Sequence, residues 1–137
     1  MKVDTSKIDM DELIFALQTH FESLTSYLDL KTGKVLTFGE EEEELIEKIE
    51  KNVPERYVYI EPIPSSISYG WMEEFIEMVE DENLREKLEI AIDGPGAFRR
   101  FKNVLLGYPE VRERWFEFER KKLEEYAKDW LESLRRE

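Results

Sequence analysis

The sequence predicts an α+β domain: a small antiparallel sheet, built from a hairpin and a third strand, packed with about six helices, the last of them long. Three observations carry this expectation. Residues 26–38 alternate apolar and polar side chains around a Lys31-Thr32-Gly33-Lys34 turn, the pattern of a hairpin. Arg56 to Ile60 alternates again and is stopped by Pro62 and Pro64, which cannot donate to a ladder. Elsewhere apolar residues return every three or four positions, as on a helix with one buried face.

In chain order, Ile8, Leu13, Phe15, Ala16, Leu17 and Phe21 mark one face of a first helix capped by Asp9 or Asp11. His20 lies near its end. With no second His and no Cys to act with it, its reading is that of a packed or terminus-stabilising residue. The hairpin follows, with Gly33 free to take positive φ. Glu40 to Lys51 is a charged helix with a narrow edge of Leu45, Ile46 and Ile49; the Glu40–Glu44 run is a first turn favoured by the helix dipole rather than a metal site. After the third strand, the loop Glu61–Ser66 leads into a helix carrying Ile67, Trp71, Met72, Phe75, Ile76 and Val79, with Ser66 or Ser68 as cap. A short helix over Asn83 to Ile92 offers Leu84, Leu88, Ala91 and Ile92.

Gly94-Pro95-Gly96 then breaks the chain. The next helix presents Ala97, Phe98, Phe101, Val104 and Leu105 on one face, with Asp93 placed to cap its start and Gly107 to end it in the left-handed conformation. Pro109 opens the long C-terminal helix, whose stripe is Val111, Trp115, Phe118, Tyr126, Trp130 and Leu134, widened by Leu123 and Leu131.

The 137 residues suit a single domain, 1–137, able to bury roughly two thirds of its unfolded surface. No run of about 18 apolar residues suggests a membrane span, and Met1-Lys2-Val3-Asp4 does not open a leader. The absence of cysteine removes disulfide and thiol chemistry and fits a cytoplasmic location. One histidine and one glutamine beside abundant Glu and Lys resemble heat-adapted usage. The net charge of −13 is unevenly held: residues 1–92 carry 9 Lys/Arg against 23 Asp/Glu, whereas residues 93–137 carry 11 against 10. General affinity for nucleic acid is therefore disfavoured, while one locally basic surface is left to meet an anion.

That surface is the Gly94–Lys102 turn and helix. Arginine in the first turn of a helix opposes the positive end of its dipole, so Arg99 and Arg100 need a compensating partner. An anion held by amides around Gly94 and Gly96, by Arg99 and Arg100, and by Lys102 would supply one; Asp93, a glutamate or solvent would supply it internally. Phe116 falls off the main stripe of the last helix and is the ring to watch for stacking on a ligand, while the other aromatics fill the core. The second helix of the Leu106-Gly107-Tyr108 pair lacks the run of exposed basic residues expected for backbone contacts, and its Glu113, Glu117 and Glu119 would repel phosphates, which disfavours duplex DNA.

Residues Gly96-Ala97-Phe98-Arg99-Arg100-Phe101-Lys102, followed by Pro109, Trp115 and Phe118, resemble the C-terminal signature of the uncharacterised bacterial protein family UPF0158. The resemblance extends more weakly through the Tyr27–Phe38 hairpin, the Tyr57–Ser66 strand and loop, and the Met72/Phe75 helix. It implies a soluble, prokaryotic context and supplies no catalytic residues. Where many members have a polar residue after the first glycine, this chain has Pro95, which stiffens the turn.

The expectation is thus a non-enzymatic binding or regulatory module with an anion-facing Gly/Arg helix start, needing no cofactor and no metal. Two alternatives stand beside it. A hydrolase would use paired carboxylates at element ends, drawn from Asp29, Glu61 and Asp93. An acidic interaction module would offer Glu40–Glu47, Glu73, Glu74, Glu77, Glu80 and Asp81 to a basic protein partner.

Overall fold

The computed structural model describes residues 5–20 and 23–135. Its elements run in the order expected. A short 3₁₀ turn (Thr5–Lys7) precedes α1 (Met10–Gln18), then β1 (Thr25–Asp29), β2 (Val35–Phe38), α2 (Glu43–Glu50), β3 (Tyr57–Tyr59), α3 (Ser65–Glu77), α4 (Glu82–Ala91), α5 (Ala97–Leu105) and α6 (Pro109–Arg135). The fold is α+β. It forms two compact units, one of residues 1–63 with 124–137 and one of residues 64–123.

In the first unit, β1 is the central strand of an antiparallel sheet ordered β2-β1-β3. Leu28 lies opposite Val35 on one side and Val58 on the other. Tyr27, Leu28 and Asp29 are buried in succession, so both faces of β1 are covered at its end and the alternation read from the sequence gives way there. Gly33 at the hairpin turn has φ 77°, and a Cβ on it would lie 2.5 Å from the Lys7 carbonyl oxygen; no other residue fits this turn. Asp9 caps α1 through bonds from the Asp11 and Glu12 amides. On α1 the core takes Leu13, Ile14, Ala16 and Leu17, while Phe15, expected inside, is 70% exposed. Phe21 lies outside the described residues. The first turn of the glutamate helix, Glu40–Glu42, is 3₁₀ rather than α.

The second unit is helical. Met72, Phe75 and Ile76 of α3, Leu84 and Leu88 of α4, Ala97, Phe101 and Leu105 of α5, and Trp115 of α6 share one core. Its centre is aromatic, with the Trp115 ring 4.8 Å from Phe101 and 5.3 Å from Phe75, both T-shaped. The Trp115 Nε1 donor is buried here without a hydrogen-bond partner. Ile67 is exposed and Trp71 half-buried, so the stripe of α3 is narrower than its sequence suggests.

Capping is where this unit departs most from expectation. Pro64, not Ser66 or Ser68, precedes α3 and gives no side-chain cap. Gly96, at φ 81°, precedes α5, so the carboxylate of Asp93 does not cap it. Gly107 does not take positive φ, and α5 ends at Leu106 in a right-handed conformation. Asp81 does cap the start of α4, and the C-terminal ends of α3 and α4 are met by side chains reaching from the following helix. Arg85 Nη1 of α4 donates to the Val79 carbonyl oxygen beyond the end of α3, at 3.2 Å. Cations suit that pole of the dipole.

Along α6 the deepest positions are Trp115, Leu123, Ala127 and Leu131. They recur at four- or eight-residue steps, so the stripe drawn through Phe118, Tyr126, Trp130 and Leu134 describes the half-buried flank. Glu119 falls on the deep seam itself.

Candidate ligand-binding site

The α4–α5 turn is built by Arg100. Its Nε donates to the Ala91 carbonyl at 2.8 Å, and its Nη2 to the Asp93 carbonyl at 2.7 Å and the Gly94 carbonyl at 3.3 Å. Its Nη1 donates to the Pro95 carbonyl. Tyr69 of α3 adds a bond to the Ile92 carbonyl at 2.7 Å. The carbonyls left free where α4 stops are thus collected by one guanidinium and one phenol. The cost of an arginine in the first turn of α5 is offset at the C-terminal end of α4, and the partner is the backbone of Asp93 rather than its carboxylate. Arg99 is exposed, and Gly94 and Gly96 take φ 85° and 81° to form the turn.

Lys102 is one turn further along α5 and belongs to a different place. With Leu105 and Leu106 it forms one wall of a cavity of about 300 Å³, faced across by Arg112, Trp115, Phe116 and Glu119 of α6. The α6 wall follows from spacing: positions 112, 115, 116 and 119 share one helical face. Arg112 lies over the Phe116 ring, 4.9 Å from guanidinium carbon to centroid, a cation–π pair at i,i+4. No carboxylate among the described residues pairs with Arg112. Burial pushes the Glu119 carboxyl up from its ordinary value, against the opposing pull of the Lys102 charge. Leu106 is 60% and Phe116 42% exposed, so the rim is apolar as well as charged.

Of the residues singled out from the sequence, the structure therefore brings Lys102 and Phe116 together and leaves Gly94, Gly96, Arg99 and Arg100 at the turn. Arg112 and Glu119 were missed. Their signals were present, as an Arg-to-aromatic pair at i,i+4 and an acid on the buried seam.

The carboxylates divide likewise. Asp29 is 4% exposed; burial alone would raise its pKa, but bonds from the Arg56 guanidinium at 3.3 Å, from the Lys31 amide at 2.9 Å and from Thr32 outweigh it and hold the carboxyl below its ordinary value. An acid so held ties the hairpin turn to β3 and is a poor proton donor. Asp93 instead lines a second cavity of about 450 Å³ with Glu73, Glu77, Glu89, Tyr69 and Ile90. Among the described residues no group of three or more His, Cys, Asp or Glu could hold a metal ion. No described helix is long and apolar enough to cross a membrane.

Comparison with known proteins follows this geometry. The model of an uncharacterised protein family, UPF0158, matches residues 3–135. The chain is 37% identical over 126 residues to the UPF0158 protein PA5073 of Pseudomonas aeruginosa, covering 91% of this chain and 81% of that protein. No solved structure matches.

Proposed function

From a chain that belongs to the UPF0158 family of uncharacterised proteins, we propose a non-enzymatic binding module whose ligand seat is the cavity between α5 and α6 and whose ligand is a small organic anion. The observation that carries this is the state of Arg112. Its guanidinium carbon lies over the Phe116 ring, 4.9 Å from the centroid, beside a cavity and unpaired with any described carboxylate, whereas the donors of Arg100 are engaged by carbonyl oxygens. A planar donor fork already oriented by a ring costs little further entropy when an oxyanion arrives. The sequence expectation of an anion-facing surface is kept and moved along α5, from the turn to Lys102. Amide-resolved NMR titration with a library of small organic anions tests the reading. Saturable shifts centred on Lys102, Arg112, the Trp115 indole and Phe116 are expected; a library that leaves these signals still, or shifts only Gly94–Arg100, sinks it.

A second reading rests on the cavity between α3 and α4. Glu73 and Glu77 are a like-charged pair at i,i+4 of α3, mildly self-repelling, and Glu89 and Asp93 add two more acids to the same cavity. A basic protein segment would relieve the repulsion. Association with such a segment that survives Glu73→Gln/Glu77→Gln unchanged argues against it.

A further inference from the structure

We propose that the α5–α6 cavity selects a monoanion with an apolar body, an aryl or alkyl carboxylate, and rejects dianionic phosphates. This rests on the small-ligand reading of the same cavity and specifies the class of ligand.

The first ground is charge balance. The cavity is lined by two cations, Lys102 and Arg112, and one acid, Glu119. Lys102 and Glu119 line the same cavity with opposite charges, so they cancel in its net charge. One cation, Arg112, is left over. A single negative charge neutralises the cavity, whereas a second would stand beside a half-buried Glu119 with nothing to answer it.

The second ground is the surface offered to the rest of the ligand. Leu105, Leu106, Trp115 and Phe116 supply the remaining wall, and two of them, Leu106 and Phe116, are large apolar side chains open to solvent. Covering them with a ligand body returns apolar surface from water. A volume of about 300 Å³ is that of roughly ten waters, too large for a bare ion and suited to one ring or a short chain.

The third ground is the donor's shape. Arg112, whose guanidinium carbon lies 4.9 Å from the Phe116 centroid, pairs with no described carboxylate, and a guanidinium edge matches a carboxylate with two parallel bonds. The same edge fits two phosphate oxygens as well, so discrimination between the two anions rests on the charge balance and the apolar wall.

The test uses the full chain at mildly alkaline pH, where inorganic phosphate is mainly the dianion, and isothermal calorimetry with four probes, benzoate, hexanoate, benzamide and inorganic phosphate, on wild type, Arg112→Gln and Glu119→Gln. Benzoate or hexanoate binds wild type saturably, with benzamide and phosphate at least about tenfold weaker, and Arg112→Gln loses about tenfold for the carboxylates. Glu119→Gln gains phosphate binding. Benzamide binding as tightly as benzoate, or phosphate binding wild type as tightly as the carboxylates, overturns the selection while the ligand seat stands. If no probe binds the folded wild type, the selection for a carboxylate falls, and the anion library followed by NMR decides separately whether the seat itself survives. Circular dichroism of both variants confirms that they remain folded.

Discussion

Arg100 and Arg112 lie on consecutive helices of one unit, both in the basic segment of an acidic chain, yet the fold spends them differently. Around Arg100 the backbone stops a helix and turns, leaving carbonyl oxygens without helical partners; the guanidinium is consumed by four of them. Around Arg112, in the first turn of α6, no carbonyl is left open to a side chain: its own amide bonds the Tyr108 carbonyl oxygen, and the guanidinium lies over a ring. What decides whether a basic residue is structural or available is the state of the backbone beside it, which charge counting does not register.

The most severe way to break this contrast is to remove what both regions stand on. Phe101 is fully buried against Phe75 and Trp115, and Phe101→Ala is expected to cost about 3–5 kcal/mol in denaturant unfolding. Turn and cavity should fail together. A loss near 1 kcal/mol would mean that the aromatic centre does not hold them.

Arg100→Ala comes next. Losing charge-assisted bonds to several carbonyls should destabilise by roughly 2–3 kcal/mol while leaving ligand affinity at the α5–α6 cavity unchanged in the folded fraction. Should affinity fall and stability hold, the two arginines have their roles reversed. Arg112→Gln is the mirror image: a partly exposed cation–π pair contributes about 0.5–1 kcal/mol, so the melting temperature should move little and carboxylate binding should go.

The smallest effect sharpens the cavity's own electrostatics. The folded-state pKa of Glu119 is raised by burial, so the folded chain holds this proton more tightly than the unfolded one. Stability from this group is therefore complete below the ordinary value of 4.5 and is lost as pH rises through the raised value. Glu119→Gln does not titrate. Its melting temperature should exceed that of wild type by a margin that grows from acid to neutral pH, and a pH-independent difference would show that Glu119 is not held this way.

Much of the fold was legible because it rests on local rules. The order of helices and strands follows from periodicity, the hairpin from Gly33, and the start of α6 from Pro109. Asp9 was read correctly as a cap, but the ends of α3 and α5 were misread because a short polar side chain near a helix end is only one way of satisfying it; Arg85 and Arg100 act across a turn, at sequence separations of five to nine residues. The site was half legible. Phe116 was marked because it left the apolar stripe, and Lys102 because it was basic, but that they share a cavity depends on how α5 folds back on α6.

The sequence by itself determined which segments are helix and strand, where the chain turns, and that its basic and aromatic residues concentrate after Asp93, because spacing and turn chemistry act within a few residues. Tertiary structure decided which of those residues are free. Whether a guanidinium meets orphaned carbonyls or an open ring, and whether a glutamate sits on a buried seam or a solvated face, depends on surfaces contributed by other helices, and no property of Arg112 or Glu119 alone contains that information.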